Sequence, residues 1–357
     1  MADDAEREAL SEQLERLRSM LDLLTPWAMA AALGLRLPQA IADGAECADD
    51  LARAVGADAG GITRLLRYLA LRGLVTEPEP RRFRLTRLGE LLREDHPADA
   101  VRHLRPDSAQ WRINLAWAGL PEAVRTGRAG YRIVHGRTFW ADIEADPGFA
   151  ESFSSLVSMW SDGWIPALAA AWPWHDARHV VDLGGGAGDV LISLLGTHPH
   201  LRGTLLDLPE AVGLARPALA AAGLSGRCAA VEGSFFDPLP EGGDVYLLAH
   251  CLHNWPDDAC AAILRRCAEA VGDTARLLLA ELFAPEDGGG GDAFGVSNDL
   301  TMFNVFGSGE RTESRHRELL AGAGLEVRSI TPFAGRHLIE CAAPGGPPAR
   351  SAAPPGR

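Results

Sequence analysis

The chain reads as an α/β protein: a mostly parallel sheet with helices on both faces and an antiparallel last strand, preceded by a smaller helical unit. Three observations lead there. From His179 onward short runs of β-branched and aliphatic residues alternate with helical patterns, the mark of a parallel sheet. The first run, HVVDL, passes straight into Gly184-Gly185-Gly186-Ala187-Gly188 and then into a helix starting near Val190, a strand, tight turn and helix in succession. And at 357 residues the chain exceeds what one hydrophobic core usually holds, so two domains are expected.

The N-terminal third supplies the smaller unit. Leu14, Leu17, Leu21, Leu24, Met29 and Leu33 fall at helical spacing between charges, which predicts an amphipathic helix followed by a second. Helices over Ala48–Val55 and Ile62–Leu71 follow, then a hairpin of Leu74–Thr76 with Phe83–Thr86. Helix-turn-helix plus a two-stranded wing is the winged-helix order. Arg64, Arg67 and Arg72 on the second helix and Arg81, Arg82, Arg84 and Arg87 on the wing admit a DNA-binding reading, and with it a ligand-sensing regulator. A net charge of -14 and the large domain that follows favour packing against a second subunit instead. No nucleic-acid or membrane partner is expected.

We expect domains at 1–105, 106–176 and 177–343, with a disordered Pro/Gly-rich tail over 344–357. The middle stretch is helical and carries Trp111, Trp117, Trp140, Trp160, Trp164, Trp172 and Trp174. Rings so spaced build cores, and they also suit a pocket for a flat ligand. Met159, Trp160 and Trp164, nearest to the glycine turn, are the pocket candidates there, joined by Asp299, Met302 and Phe303 from the segment 298–306. Six cysteines without C-x-x-C pairing read as reduced residues of a cytoplasmic protein, and no metal site is indicated. The first ten residues lack an apolar signal core, and no run of 18 apolar residues occurs.

Six further strands are expected at Gly203–Leu206, Cys228–Glu232, Val245–Ala249, Arg276–Glu281, Leu325–Thr331 and His337–Ala342, the last two as a hairpin. The turn at Gly184 and Gly186 is not a dinucleotide fingerprint, because the third position of G-x-G-x-x-G is Asp189 in one register and Leu191 in the other. No P-loop Lys follows either. What remains is a nucleoside-type ligand without a pyrophosphate. Asp207, ending the second strand, stands where an acid takes ribose hydroxyls, although an acid beside Pro209 also suits a helix start. Ser234 and Phe235 offer a polar group and a ring for an adenine. His250 and His253 end the fourth strand, where the crevice of an open α/β sheet lies, and Glu281 and Glu310 end the next strand and a later loop.

Taken together, DLGGGAGD, LLDLPEAV, EGSFFDPLP, LHNWPDDACAAILRRC, AELFAP and GSGERT resemble, in order and spacing, the S-adenosylmethionine-dependent O-methyltransferases of the caffeate/hydroxyindole type, which include bacterial small-molecule tailoring enzymes. The likeness is strongest over 150–342 and extends to the N-terminal unit, which resembles the family's dimerisation domain. It implies a Rossmann-like class I methyltransferase sheet, a homodimer, and methylation of a hydroxyl, phenolic by expectation, on an aromatic natural product. The glycine turn, with Asp182, Gly184 and Gly186, would lie along the methionine part of the cofactor. Asp207 would take the ribose; Leu208, Ser234, Phe235 and His250 complete the cofactor set. His253 would be the general base, with Glu281 and Glu310 as its acidic helpers. Two departures stand out: Ser234 replaces the family's Asp before the Phe, and Asn254 replaces the Asp after the catalytic His. A relative diverged to hydroxylation or decarboxylation is the enzymatic alternative.

Overall fold

The computed structural model describes residues 2–99, 101, 104–286 and 292–350. Two compact units divide after Arg112, so most of the stretch expected at 106–176 falls in the second unit. The proposed tail beyond residue 350 lies outside the described residues. Its first part does not hang free: Pro348 O accepts a hydrogen bond from Arg276, and the Arg350 guanidinium lies 4.8 Å from the centre of the Trp172 ring.

The first unit begins with helices Ala2–Met20 and Leu24–Gly34 and a short turn of helix Leu37–Ala42. Helices Ala48–Val55 and Ala59–Leu71 then lead into the antiparallel hairpin of β1 (Val75–Glu79) and β2 (Arg82–Leu85). The second of these helices starts three residues before Ile62 because the Asp58 carboxylate accepts the N–H of Gly61 and caps it there. Leu37, Leu51, Ile62, Leu66 and Phe83 close a core of their own. The arginines of helix and hairpin are largely engaged in ion pairs: Arg67 with Glu77, Arg81 with Asp49, Arg82 and Arg84 both with Glu46, and Arg72 with Asp22. In contrast, the first helix leaves Leu10, Leu14 and Leu17 55%, 42% and 53% exposed, and Leu21, just past its end, is 69% exposed.

The second unit is built on a seven-stranded sheet of β3 (His179–Leu183), β4 (Arg202–Asp207), β5 (Cys228–Glu232), β6 (Val245–Ala249), β7 (Arg276–Glu281), β8 (Glu326–Phe333) and β9 (Arg336–Ala342). The strand order is β5-β4-β3-β6-β7-β9-β8, parallel through β7 and antiparallel at β9 and β8. Side chains alternate between two cores: Val180, Val245, Leu247, Leu278 and Ala280 face one, and Val181, Leu183, Tyr246, Leu248, Leu277 and Leu279 the other. Burial on both faces explains why these strands are continuously apolar. β8 runs through Pro332, two residues beyond its expected end, since an edge strand can spare the N–H that proline lacks.

The order reverses between β3 and β6. β3 continues outward to β4 and β5 while β6 continues the other way, so their connecting helices leave to opposite faces and a crevice opens at the carboxyl ends of these two strands. The glycine turn follows one and His250 the other.

Candidate active site

Gly184, Gly186 and Gly188 have φ of 72°, 57° and 91°, values that side chains rarely tolerate. A Cβ on Gly184 would also stand 2.9 Å from the Cys251 Sγ. The turn is tied to the neighbouring strand: the N–H of Gly184 reaches the Leu206 carbonyl, and the N–H of Gly186 reaches Asp207 Oδ2 at 2.8 Å. Asp207 Oδ1 accepts the N–H of Leu208 at 2.7 Å. Asp207 thus braces the loop and lines the crevice, while the following helix Pro209–Ala221 begins at Leu208 without a side-chain cap. Burial raises the pKa of Asp207, and these two N–H groups hold the rise back.

Asp182 is more deeply placed. Its Oδ2 has no hydrogen-bond partner among the described residues, and burial together with the charge of Asp207 pushes its pKa up to about 7. A buried acceptor left open is costly unless a ligand completes it.

A cavity of about 360 Å³ runs along this crevice. Asp182, Gly184, Gly186, Asp207, Leu208, Ser234, Phe235 and His250 all line it. Of the substrate-pocket candidates, Trp164 does so too; Met159 and Trp160 do not, being 49% and 40% exposed on the outward side of the helix Pro147–Ser161. The inward side of that helix shows Ala150, Phe153, Ser154, Val157 and Ser161, whose three- and four-residue spacing was a readable signal that the richer aromatic pair obscured. Trp140 and Trp255 extend this wall, their rings parallel within 5°. Asp299, Met302 and Phe303 likewise stand off the cavity: Asp299 Oδ1 accepts the N–H of Glu310, and Met302 is buried in the protein.

Behind the wall sits a polar cluster. The short helical turn Leu252–Asn254 carries His253, whose Nδ1 lies 2.7 Å from Glu310 Oε1. That oxygen also accepts from the Asn298 side-chain amide at 2.6 Å. Among the described residues Nε2 of His253 has no hydrogen-bond partner. Burial works against a charged ring here, but the carboxylate of Glu310 and its hydrogen bond outweigh it, and the pKa of His253 is raised. Glu281 Oε1 accepts the N–H groups of Cys251 and Leu252, fixing the backbone just ahead of His253. Burial pushes its pKa up to about 7, against the pull of His253.

Arg311 was not anticipated. Buried beside Glu310, its guanidinium donates to the carbonyls of Leu252 and Trp255 and pairs with Asp257. Adjacent residues thus hold the His253 ring and its loop. Ligand atoms of His250, His253 and Glu281 also lie within 4.8 Å of one another, but the Arg336 cation donates to Nε2 of His250, which opposes a metal ion there.

Family models describe the same division of the chain. An O-methyltransferase domain matches residues 117–326, and an O-methyltransferase dimerisation domain matches residues 10–95. The chain belongs to the S-adenosylmethionine-dependent O-methyltransferase family. It is 40% identical to the 2,7-dihydroxy-5-methyl-1-naphthoate 7-O-methyltransferase of Streptomyces carzinostaticus, over 92% of this chain and 97% of that one. The aclacinomycin 10-hydroxylase of Streptomyces purpurascens is 38% identical over 88% and 84%. Among solved structures, the O-methyltransferase of neocarzinostatin biosynthesis in complex with S-adenosyl-L-homocysteine and 1,4-dihydroxy-2-naphthoic acid superposes with a TM-score of 0.84, at 40% identity, covering 92% of this chain and 98% of that one.

The family's methyl donor suits the residues present. The open acceptor on Asp182, three glycines at positive φ and the apolar Leu208 and Phe235 make a cradle with room for amino, hydroxyl and purine groups.

Asp182 also sets a pH dependence. Its folded-state pKa of about 7 exceeds its ordinary 3.8, so the ligand-free fold binds the extra proton, and the stability associated with it is lost as pH rises from about 4 through 7. Urea unfolding of the ligand-free protein at pH 5 and pH 7.5 is expected to show a smaller loss for Asp182→Asn than for wild type. An equal loss in both would show that Asp182 ionises normally.

Proposed function

We propose that this chain transfers a methyl group to a hydroxyl, phenolic in kind, of an aromatic natural product, with His253 as general base. The observation that carries the reading is the His253–Glu310 pair: Nδ1 is held, Nε2 is free among the described residues, and the ring is more basic than usual. S-adenosylmethionine, when bound, supplies an electron-poor methyl group on a sulfonium. Asp182, Gly184, Gly186, Asp207, Leu208, Ser234, Phe235 and His250 are the residues to hold it. Ser234 and Phe235 take the adenine end, a hydroxyl serving where relatives have a carboxylate.

A phenol of pKa about 10 stays protonated at neutral pH, so its oxygen is a poor nucleophile until the proton leaves. Nε2 of His253 accepts that proton, while Glu310 orients the ring and stabilises its cation. Glu281 fixes the backbone from which the ring projects. Trp140, Phe153, Trp164 and Trp255 form the wall against which a flat ring packs. The relatives agree in kind: their names include methyltransferases acting on a naphthoate hydroxyl, in mitomycin biosynthesis and on a phenazine. The hydroxylase among them shows that the scaffold admits other outcomes, and a base oriented by Glu310, its ring 5.4 Å from that of the cavity-lining His250, favours methyl transfer here.

The N-terminal unit is read as the site of homodimerisation. Its first helix leaves Leu10, Leu14 and Leu17 uncovered on one stripe, with Leu21 just past its end, as a self-complementary surface requires. A DNA-binding regulator fits poorly, because most of the arginines that would meet phosphate already face carboxylates. No described helix is long and apolar enough to cross a membrane, and the six cysteines are unpaired, which suits the reducing cytoplasm.

Two outcomes test the reading. With a panel of hydroxylated naphthoates and quinones, His253→Gln is expected to lower kcat by about 10²- to 10⁴-fold with S-adenosylhomocysteine affinity retained by calorimetry. The rate of the wild type rises with pH through a value above the ordinary 6.5 of histidine, and Glu310→Gln moves that limb to lower pH, since it removes the charge that raised it. A wild-type rate in His253→Gln sinks the general-base assignment. For the dimer, Leu14→Glu with Leu17→Glu is expected to convert a dimeric mass to a monomeric one by light scattering after size-exclusion chromatography.

A further inference from the structure

The hairpin that ends the sheet brings a late segment of the sequence to the crevice. β9 runs antiparallel to β7 with His337 opposite Glu281, so Arg336, which opens β9, arrives at the carboxyl ends of β6 and β7. The turn before it, with Ala334 and Gly335 at φ of 42° and 74°, faces the Arg336 side chain back toward its own loop, and Nη1 donates to the Ala334 carbonyl. Nε donates to Nε2 of His250 at 2.7 Å. The guanidinium carbon lies 5.1 Å from the centre of the Trp164 ring and 5.8 Å from that of Phe294. Among the described residues no carboxylate pairs with it.

His250 is held equally tightly. It is a non-glycine residue at φ of 54°, its N–H bonds the Ala280 carbonyl, and its ring packs at 4.8 Å on Trp164. Ring and wall both border the cavity. A guanidinium has only donors, so the atom it meets must present a lone pair. Nε2 of His250 therefore carries no proton, and a neutral ring must carry its proton on Nδ1. Charging the ring would set a proton on Nε2 against the guanidinium, and burial, His253 and Arg336 all keep its pKa well below the ordinary range.

We propose that Arg336 is a positioning residue that fixes His250 as the neutral Nδ1–H tautomer, so that the cavity presents a hydrogen-bond donor beside the base to an oxygen of the bound ligands. The inference rests on the methyl-transfer reading above. Its chemical sense is a division of labour between two histidines whose rings lie 5.4 Å apart. His253 accepts a proton; His250 donates a hydrogen bond and adds no charge that would make its neighbour less basic. The oxygen it meets belongs either to the acceptor molecule or to the carboxylate of the methyl donor.

The test uses full-length protein with ¹⁵N-labelled histidine, saturated with S-adenosylhomocysteine. Two-bond ¹H–¹⁵N spectra are expected to show one histidine, absent from His250→Asn, as the Nδ1–H tautomer. In Arg336→Met it shifts to the commoner Nε2–H form, and Arg336→Lys, which keeps a donor, restores it. An Nε2–H or doubly protonated His250 in wild type overturns the inference without recourse to any variant, as does an unchanged tautomer in Arg336→Met. Loss of the oriented donor is expected to weaken one ligand by about 5- to 10-fold, the weight of a single hydrogen bond. A rise in acceptor KM alone assigns the oxygen to the acceptor; a rise in the Kd of S-adenosylhomocysteine alone assigns it to the methyl donor's carboxylate. If neither changes, the donor role is wrong. Failure of wild type to methylate any hydroxylated aromatic, with the tautomer as expected, would refute the methyl-transfer reading and leave the Arg336–His250 arrangement intact.

Discussion

The reversal of strand order between β3 and β6 is the constraint on which the site depends. Two parallel neighbours whose connections depart to opposite faces leave their carboxyl ends uncovered, and backbone groups there have no helix to meet. The glycine turn and the His250–Asn254 segment both issue from that gap. The reversal brings residues 182 and 250 to one crevice, and the rest of the second unit packs around it.

Burying acids around it carries an electrostatic cost. Asp182, Asp207, Glu281 and Glu310 bring four carboxyl groups to one region with few cations among them, and the upward shifts of the first three record the strain. The structure offsets it in part by two means: Asp207 and Glu281 take two backbone N–H groups each, and Glu310 takes an imidazole and an amide. Asp182 Oδ2, Glu281 Oε2 and Glu310 Oε2 stay without a partner among the described residues. Arg311 provides positive charge next to Glu310, its guanidinium lying on the carbonyls of Leu252 and Trp255 and on Asp257; its charge works against a cationic His253, but the Glu310 carboxylate outweighs it and the ring's pKa stays raised.

Much of this was legible from the sequence, for reasons that differ by element. Strands buried on both faces are apolar without interruption, so β3, β6 and β7 fall where the runs of Val and Leu lie, whereas β5, at the edge of the sheet, is largely exposed. Residues at strand ends inherit their position from the sheet, so the eight cofactor candidates converge on one cavity. Helical residues do not inherit direction in this way. Met159 and Trp160 are one to two positions from Val157 and Ser161, and a rotation of 100° per residue turns them to the outside. Asp299, Met302 and Phe303 stand off for a different cause, since no residue of their helix, Ala293–Phe306, lines the cavity. Arg311 escaped notice because an arginine beside a glutamate in a loop looks like surface charge until its carbonyl partners are known. Arg336 is more remote still: the antiparallel last strand is readable as a hairpin, but the meeting with His250, 86 residues earlier, depends on β9 pairing with β7, which no local pattern encodes.

The helix Pro147–Ser161 presents Phe153, Ser154 and Val157 to the cavity, whereas the glycine cradle opposite is made by strand ends and the tight turns that follow them. The two halves of the cavity thus answer to separate structural demands. Residues of the cradle are bound to positive φ, buried hydrogen bonds and sheet register, and almost any exchange there disturbs the core. The helical wall asks only for volume and polarity on one stripe. The wall can therefore be recut one side chain at a time to admit rings of new shape, while the strand-end cradle stays under the constraints of the sheet.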